Sequence, residues 1–348
     1  YLTNPFLDKD STLWIGCASQ GVFFYNPNKQ KFQHFLNAGP DQKPFNITRI
    51  LPLKEDRYLI FTRRQGALVI NQGGTILQHW LELPNGIRNF TSTGATQVDE
   101  HHFLFICNNE LYLLDIERGA IKKLQYDHSK PPLNFRQIET LENGKVLASC
   151  EEDLLLEIQL SDGAYTYKPY AQLKNLAVST GFFKTDRTGN LYISNDESSL
   201  LVLAPTPEGN HRFSYELPIG GGITSLTEVG DKSEIYISTT FGLFCFNTAT
   251  CDLASVIDKD KWLLQTIYAA IPDSNGNLWL STNTGILKYN PDNENIKAFS
   301  RMDGVQAEEF NTHAYLQTND GGIFFGGING LNFFYPDQIE LSVKEAPV

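Results

Sequence analysis

Arg49, Arg63, Arg64, Arg88 and Arg136 are cations in a chain whose formal net charge is -12. A guanidinium binds a carboxylate or sulfate through two parallel N–H groups. That chemistry suits an acidic sugar or another anion. Ordinary salt bridges to acidic neighbours are the plainer reading of the same residues. Trp262, in IDKDKWLLQTIY, offers an indole face that either stacks on a sugar ring or packs its own loop against the strands beneath. His313 stands near Glu308, Glu309 and Asn311. The group reads as a His–carboxylate pair or, more plainly, as a loop histidine beside solvated acids. Glu151, Glu152 and Asp153 are adjacent, whereas a calcium loop needs alternating ligands. There is no Ser-His-Asp order, phosphate loop or zinc motif, so no catalytic residue, metal or cofactor is expected.

The acidic balance argues against nucleic acid as a partner, since a phosphate-binding surface is basic. Five Cys residues are too few for a disulfide scaffold. Cys17, Cys107 and Cys150 each close an equivalent strand and read as small buried residues. Cys245 and Cys251 are placed to face each other across a hairpin turn, where a disulfide would fit. No apolar run reaches the length of a membrane span. Tyr1 is not an initiator Met, which points to a processed chain or an excised segment.

The elements that position these residues come from a repeat. In DSNGNLWLSTNTGILKYN (273–290), turns rich in Asp, Asn and Gly alternate with short strands rich in aromatic and β-branched residues. Taking Trp279 as an anchor, equivalents stand at Trp14, Leu59, Leu104, Leu147, Tyr192, Tyr236 and Phe324, successively 43 to 45 residues apart. That period is one four-stranded propeller blade. The chain therefore reads as a single all-β propeller domain over 1–348, with eight blades by repeat count. Seven is the alternative if one terminal copy belongs to a neighbouring ring. In the first copy the four-strand pattern places strand B at 13–17, strand C at 21–25 and strand D at 31–35. The last copy must draw its strand D from the tail, at 339–343. Trp14 and Trp279 read as inter-blade core, and Trp80 as structural.

Antiparallel order puts A–B and C–D turns on one face, and B–C turns and D-to-A connections on the other. The second face carries the longer, irregular connections, where function concentrates. The five arginines, Trp262 and His313 all fall there, so that face is the expected ligand site.

The pattern D-x-x-G-x-L-W-[IL]-[GS]-T-x-x-G-[IL]-x-x-Y-[ND] resembles the two-component regulator propeller repeat. Residues 273–290 match it almost throughout. Residues 8–26 match well, although Ser11 and Thr12 replace the usual Gly and polar residue. The middle copies are more worn, and the third and fourth lack the Gly before strand C. The run 304–339, with EEFN and IFFGGINGLNFFYPDQI, is similar to the final propeller repeat of such sensors, which ordinarily leads into a Tyr-rich β-sandwich and then a membrane span. The resemblance implies a periplasmic sensing domain of a membrane-bound histidine kinase or hybrid two-component system, with kinase and membrane segments outside this chain. Many such systems in Bacteroidetes respond to oligosaccharides. The expected partner is therefore an oligosaccharide or a related small molecule, with homodimer formation through the full-length receptor. A propeller glycosidase or lyase, or a protein–protein interaction scaffold, are the alternatives.

Overall fold

The computed structural model describes residues 4–9, 11–18, 21–26, 32–37, 43–126, 134–141, 143–150, 154–161, 163–170, 182–194, 199–207, 211–219, 221–230, 233–257, 266–306 and 309–339. The repeats fold into eight sheets. The first holds three strands, β1 (Phe6–Leu7), β2 (Leu13–Cys17) and β3 (Gly21–Tyr25). After β4 (Gln33–Phe35), six more sheets follow at 47–80 (β5–β8), 94–123 (β9–β12), 125–169 (β13–β17), 183–218 (β18–β21), 223–257 (β22–β25) and 267–299 (β26–β29). The last three strands, at 310–334 (β30–β32), take β4 as their fourth.

The turn chemistry of the repeat is visible at 273–290. Asp273 accepts from the backbone N–H groups of Asn275 and Asn277 at 2.9 Å and from Trp279 Nε1 at 3.0 Å. The motif Asp is therefore a latch between turn and strand, and the anchor aromatic six residues on is its partner. Asp186 holds Tyr192 in the same way, through the phenol at 3.0 Å. The motif Gly before strand C has a separate cause. At Gly285, with φ 122°, a Cβ would meet the carbonyl oxygen of Phe299 at 2.3 Å.

Seven hydrophobic clusters sit between successive sheets. Leu59, Phe61 and Val69 of the 47–80 sheet pack with Phe103, Phe105 and Tyr112 of the next. The series continues round the molecule until Ile60 and Leu68 meet Phe324 and Leu331 of the last sheet. Seven joints that return to their start describe a closed ring of seven blades. The repeat count of eight is matched by eight sheets, and the seven-bladed alternative describes the ring itself.

The closing strand differs from the expectation. β4 pairs with β32 (Gly330–Phe334) instead of β3, with Leu331 opposite Phe35 and Phe333 opposite Gln33. A Cβ at Gly330 would meet the carbonyl oxygen of Phe35 at 2.4 Å, the same strand C to strand D approach as at Gly285. The physical reason is burial. In this position Phe32 enters the cluster between the sixth and seventh blades, and Leu36 the cluster between the seventh and first. The tail expected to supply that strand begins at Ile339, which follows a 3-10 turn and is buried, and 340–348 lie outside the described residues.

Two smaller readings change as well. Trp14 keeps the latch to Asp8, at 2.8 Å, yet it is 36% exposed where Trp279 is 0%. No described residue of 4–26 belongs to any of the seven clusters. Trp14 is thus not inter-blade core here, because no blade among the described residues packs on its sheet. Cys245 pairs with Tyr236 and Ala254 while Cys251 sits in the turn beyond, and no disulfide joins the two.

Two truncations test the ring. Removing 1–26 takes away no described member of the seven clusters and should move Tm by no more than a few degrees. Removing 1–37 deletes the closing strand and its Phe and Leu anchors and should lower Tm by about ten degrees or more. Equal effects would contradict closure by β4. In the same assay Trp279→Ala should destabilise by about 3–5 kcal/mol and Trp14→Ala by less than about 1 kcal/mol.

Candidate functional site

The inner edge of each blade lines the central channel. These strands are β5 (Ile47–Pro52), β9 (Gly94–Gln97), β14 (Phe135–Thr140), β18 (Phe183–Thr185), β22 (Ile223–Glu228), β26 (Ile267–Pro272) and β30 (Phe310–Gln317). They are edge strands, so one side of each backbone has no ladder partner. Side chains from one strand reach the next instead. Thr96 and Thr140 hydroxyls bond at 3.0 Å, Gln137 donates to the Phe183 carbonyl at 3.0 Å, and Lys184 Nζ to that of Leu226 at 3.1 Å. Thr227 donates to Ala270 O at 2.6 Å, Gln317 to Pro272 O at 2.9 Å and Asn311 to Ile47 O at 2.6 Å. Only the joint from β5 to β9 lacks such a bond among the described residues. There Arg49 reaches past β9 to Glu139 on β14 at 2.8 Å.

A bulge near the start of the inner strand recurs in β5, β14, β22 and β26 and is widest in β30. Bulges re-aim side chains. In β30 the bulge sets His313 at φ 64°, a left-handed conformation that is uncommon for a side chain of this size. His313 lines a cavity of about 110 Å³ with Arg49, Gln137, Glu139, Lys184 and Tyr315. No hydrogen bond to its ring is found among the described residues. Burial, with the Arg49 and Lys184 charges, pushes its pKa down to about 3, so it is a neutral imidazole.

This cavity shares Lys184 and Tyr315 with a second of about 280 Å³. The second shares Pro272 and Gln317 with a third, of about 570 Å³, which opens among the A–B turns at Gly230, Asp273–Gly276 and Asp320–Gly321. Of these three cavities the largest opens on the face of short turns, whereas the ligand site was expected among the longer connections of the other face. The turns are short, but three of them with Tyr335 and Asp337 frame a wide mouth. Asp320 in that mouth accepts from Thr318, from Tyr335 OH at 2.7 Å and from Gln72 at 2.9 Å. These bonds, that of Thr318 foremost, hold its carboxyl down at about 2.

Of the residues singled out in the sequence, the structure brings together Arg49 and His313. Arg63 and Arg64 are exposed in a B–C turn, held there by backbone bonds to Asn46 and Thr91. Arg88 pairs with Glu82 at 2.8 Å on the surface. Arg136 is the exposed residue of the β14 bulge. Trp262, Glu308 and the acidic trio 151–153 lie outside the described residues, and Glu309 makes no ion pair with His313. Glu139 and Lys184 were missed. The available signal was a charge in strand A eight residues before the anchor, at Leu147 and Tyr192 respectively.

This half-buried imidazole at the channel wall has a pH signature. Its folded pKa of about 3 lies below the ordinary 6.5. Protons therefore go to the unfolded chain first, and stability present above that ordinary value is lost as pH falls toward the folded one. The contribution of Asp320 is lost from its ordinary 3.8 downward, below the range of about pH 5 to 7 used in the test. His313→Asn tolerates the left-handed backbone. Its urea midpoint should fall less than that of the wild type between about pH 7 and about pH 5. Parallel pH profiles would show that His313 is protonated normally in the fold.

Comparison with known proteins places the repeat. Residues 262–284 match the two component regulator propeller family. The chain is similar to histidine kinase P4 of Formosa agariphila, 29% identical over 130 residues, which are 37% of this chain and 9% of that protein. Among solved structures it superposes on the extracellular domain of a hybrid two-component system from Bacteroides thetaiotaomicron, with TM-score 0.72 and 20% identity over 97% of this chain and 45% of that one. It also superposes on YCF48 from Cyanidioschyzon merolae, with TM-score 0.61 and 12% identity over 85% and 97% of the two chains. The chain thus spans less than half the length of the two-component proteins it matches. It is a β-propeller that carries the two-component regulator propeller repeat.

Proposed function

We propose that this chain is the ligand-sensing, non-catalytic propeller of a two-component receptor, and that it binds an oligosaccharide on the periplasmic side of the membrane. The repeat and the extracellular neighbours support the receptor role. No helix among the described residues is long and apolar enough to cross a membrane. The observation that carries the ligand reading is the stepped channel. It has a mouth of about 570 Å³ framed by Asp320, Tyr335, Asp337 and Ser274. Behind the mouth, five polar side chains from four blades meet at Arg49, Gln137, Glu139, Lys184 and His313. Volumes of this order fit small-molecule sites. Carboxylates and a phenol are natural partners for sugar hydroxyls.

The glycosidase reading is weaker. A glycosidase needs one carboxyl kept protonated as a general acid. Asp320 is held ionised by its donors, and Glu139 is engaged by Arg49.

Calorimetry and thermal shift with a panel of oligosaccharides from several polysaccharides test the proposal. A member of the panel should bind, and at one hundred times its Kd should add about 2.7 kcal/mol of stability. The sugar should be recovered unchanged. Silence across the panel would defeat the sensor reading, and product formation would replace it with the enzymatic one.

A further inference from the structure

The floor of the channel and its mouth carry opposite charge. Asp320 and Asp337 stand at the mouth. On the floor, the cations are Arg49 and Lys184, the one carboxylate is Glu139, and His313 is neutral. Glu139 is already bonded to Arg49 at 2.8 Å. Lys184 gives one N–H to the Leu226 carbonyl at 3.1 Å and has no carboxylate within ion-pair distance among the described residues. An ammonium has three donors, so two remain. The floor keeps one unneutralised positive charge inside a protein of net charge -12.

We propose that this floor pocket is an anion site, which takes the carboxylate or sulfate group of an acidic sugar whose hydroxyl-bearing body lies toward the mouth. The proposal rests on the channel being the ligand site and names the class of ligand. At about 110 Å³ the pocket has room for one such group. Lys184 and the spare N–H groups of Arg49 supply charge-assisted donors, and Tyr315 borders the passage by which the group enters. A neutral sugar would leave the Lys184 charge as it is, whereas an anionic one neutralises it. An acidic mouth above a cationic floor also fixes the direction of insertion.

The test is calorimetry at low salt with sodium glucuronate, sodium sulfate and glucose. The proteins are wild type, Lys184→Met and Arg88→Gln, the last altering an exposed cation far from the channel. The wild type should bind glucuronate or sulfate at least about ten-fold more tightly than glucose, and which of the two binds identifies the group. Lys184→Met should lose at least about ten-fold, and Arg88→Gln should behave as wild type. Should Lys184→Met fail to fold, Lys184→Arg keeps the charge and must retain binding, and the wild-type preference for acid over neutral still decides. Equal binding of glucose and glucuronate, no anion binding, or equal losses in Lys184→Met and Arg88→Gln would overturn the anion site. The sensor reading would then stand or fall on the oligosaccharide panel alone.

Discussion

Seven strand edges that face one another across a channel cannot form a continuous ladder, because blades radiate and their inner strands diverge. The backbone groups on those edges must still be satisfied. Here the answer is a belt of short side chains. Thr, Gln, Asn and Lys each lend a donor to the next strand's carbonyl or hydroxyl. The belt ties the positions of the channel-lining residues to those of their neighbours. Lys184 belongs to the belt and to the floor pocket at once. Any ligand that draws its ammonium away from Leu226 therefore alters the seam between the fourth and fifth blades.

Away from the channel the blades depend on apolar packing. Each joint buries aromatic and aliphatic residues from two sheets, and at Trp279 and Tyr192 an Asp latch holds the anchor aromatic toward its joint. Trp14 shows that the two functions separate. Its latch to Asp8 forms without a neighbour, whereas its burial does not. The latch is local in sequence, and burial is a property of the ring.

This division explains what was legible in the sequence. The period, the turns and the anchors depend on contacts within some twenty residues, and the all-β propeller follows from them. The pairing of β4 with β32 does not, because one strand-D segment looks much like another. Which sheet it joins is decided by the cores that Phe32 and Leu36 complete. At the site, Arg49 and His313 were visible as unusual residues, but their meeting with Glu139 and Lys184 depends on ring curvature and on bulges. Polar residues in apolar strands were the trace left in the sequence. The arginines in the turns lacked that context and are surface residues. The opening among the A–B turns was not legible in the sequence, because it is built from several short turns set side by side.

Closure by β4 has a further consequence. The seventh blade runs in the order β30, β31 (Ile323–Gly327), β32, β4. Its outermost strand is where the chain comes into the ring, and the strand beside it is where the chain leaves. Its innermost strand carries His313 and Tyr315 into the channel. The ring is thus suspended from one blade by both of its threads, and that same blade touches the floor pocket. The wall of the channel and the points where the chain enters and leaves the ring are therefore separated by the width of one four-stranded sheet.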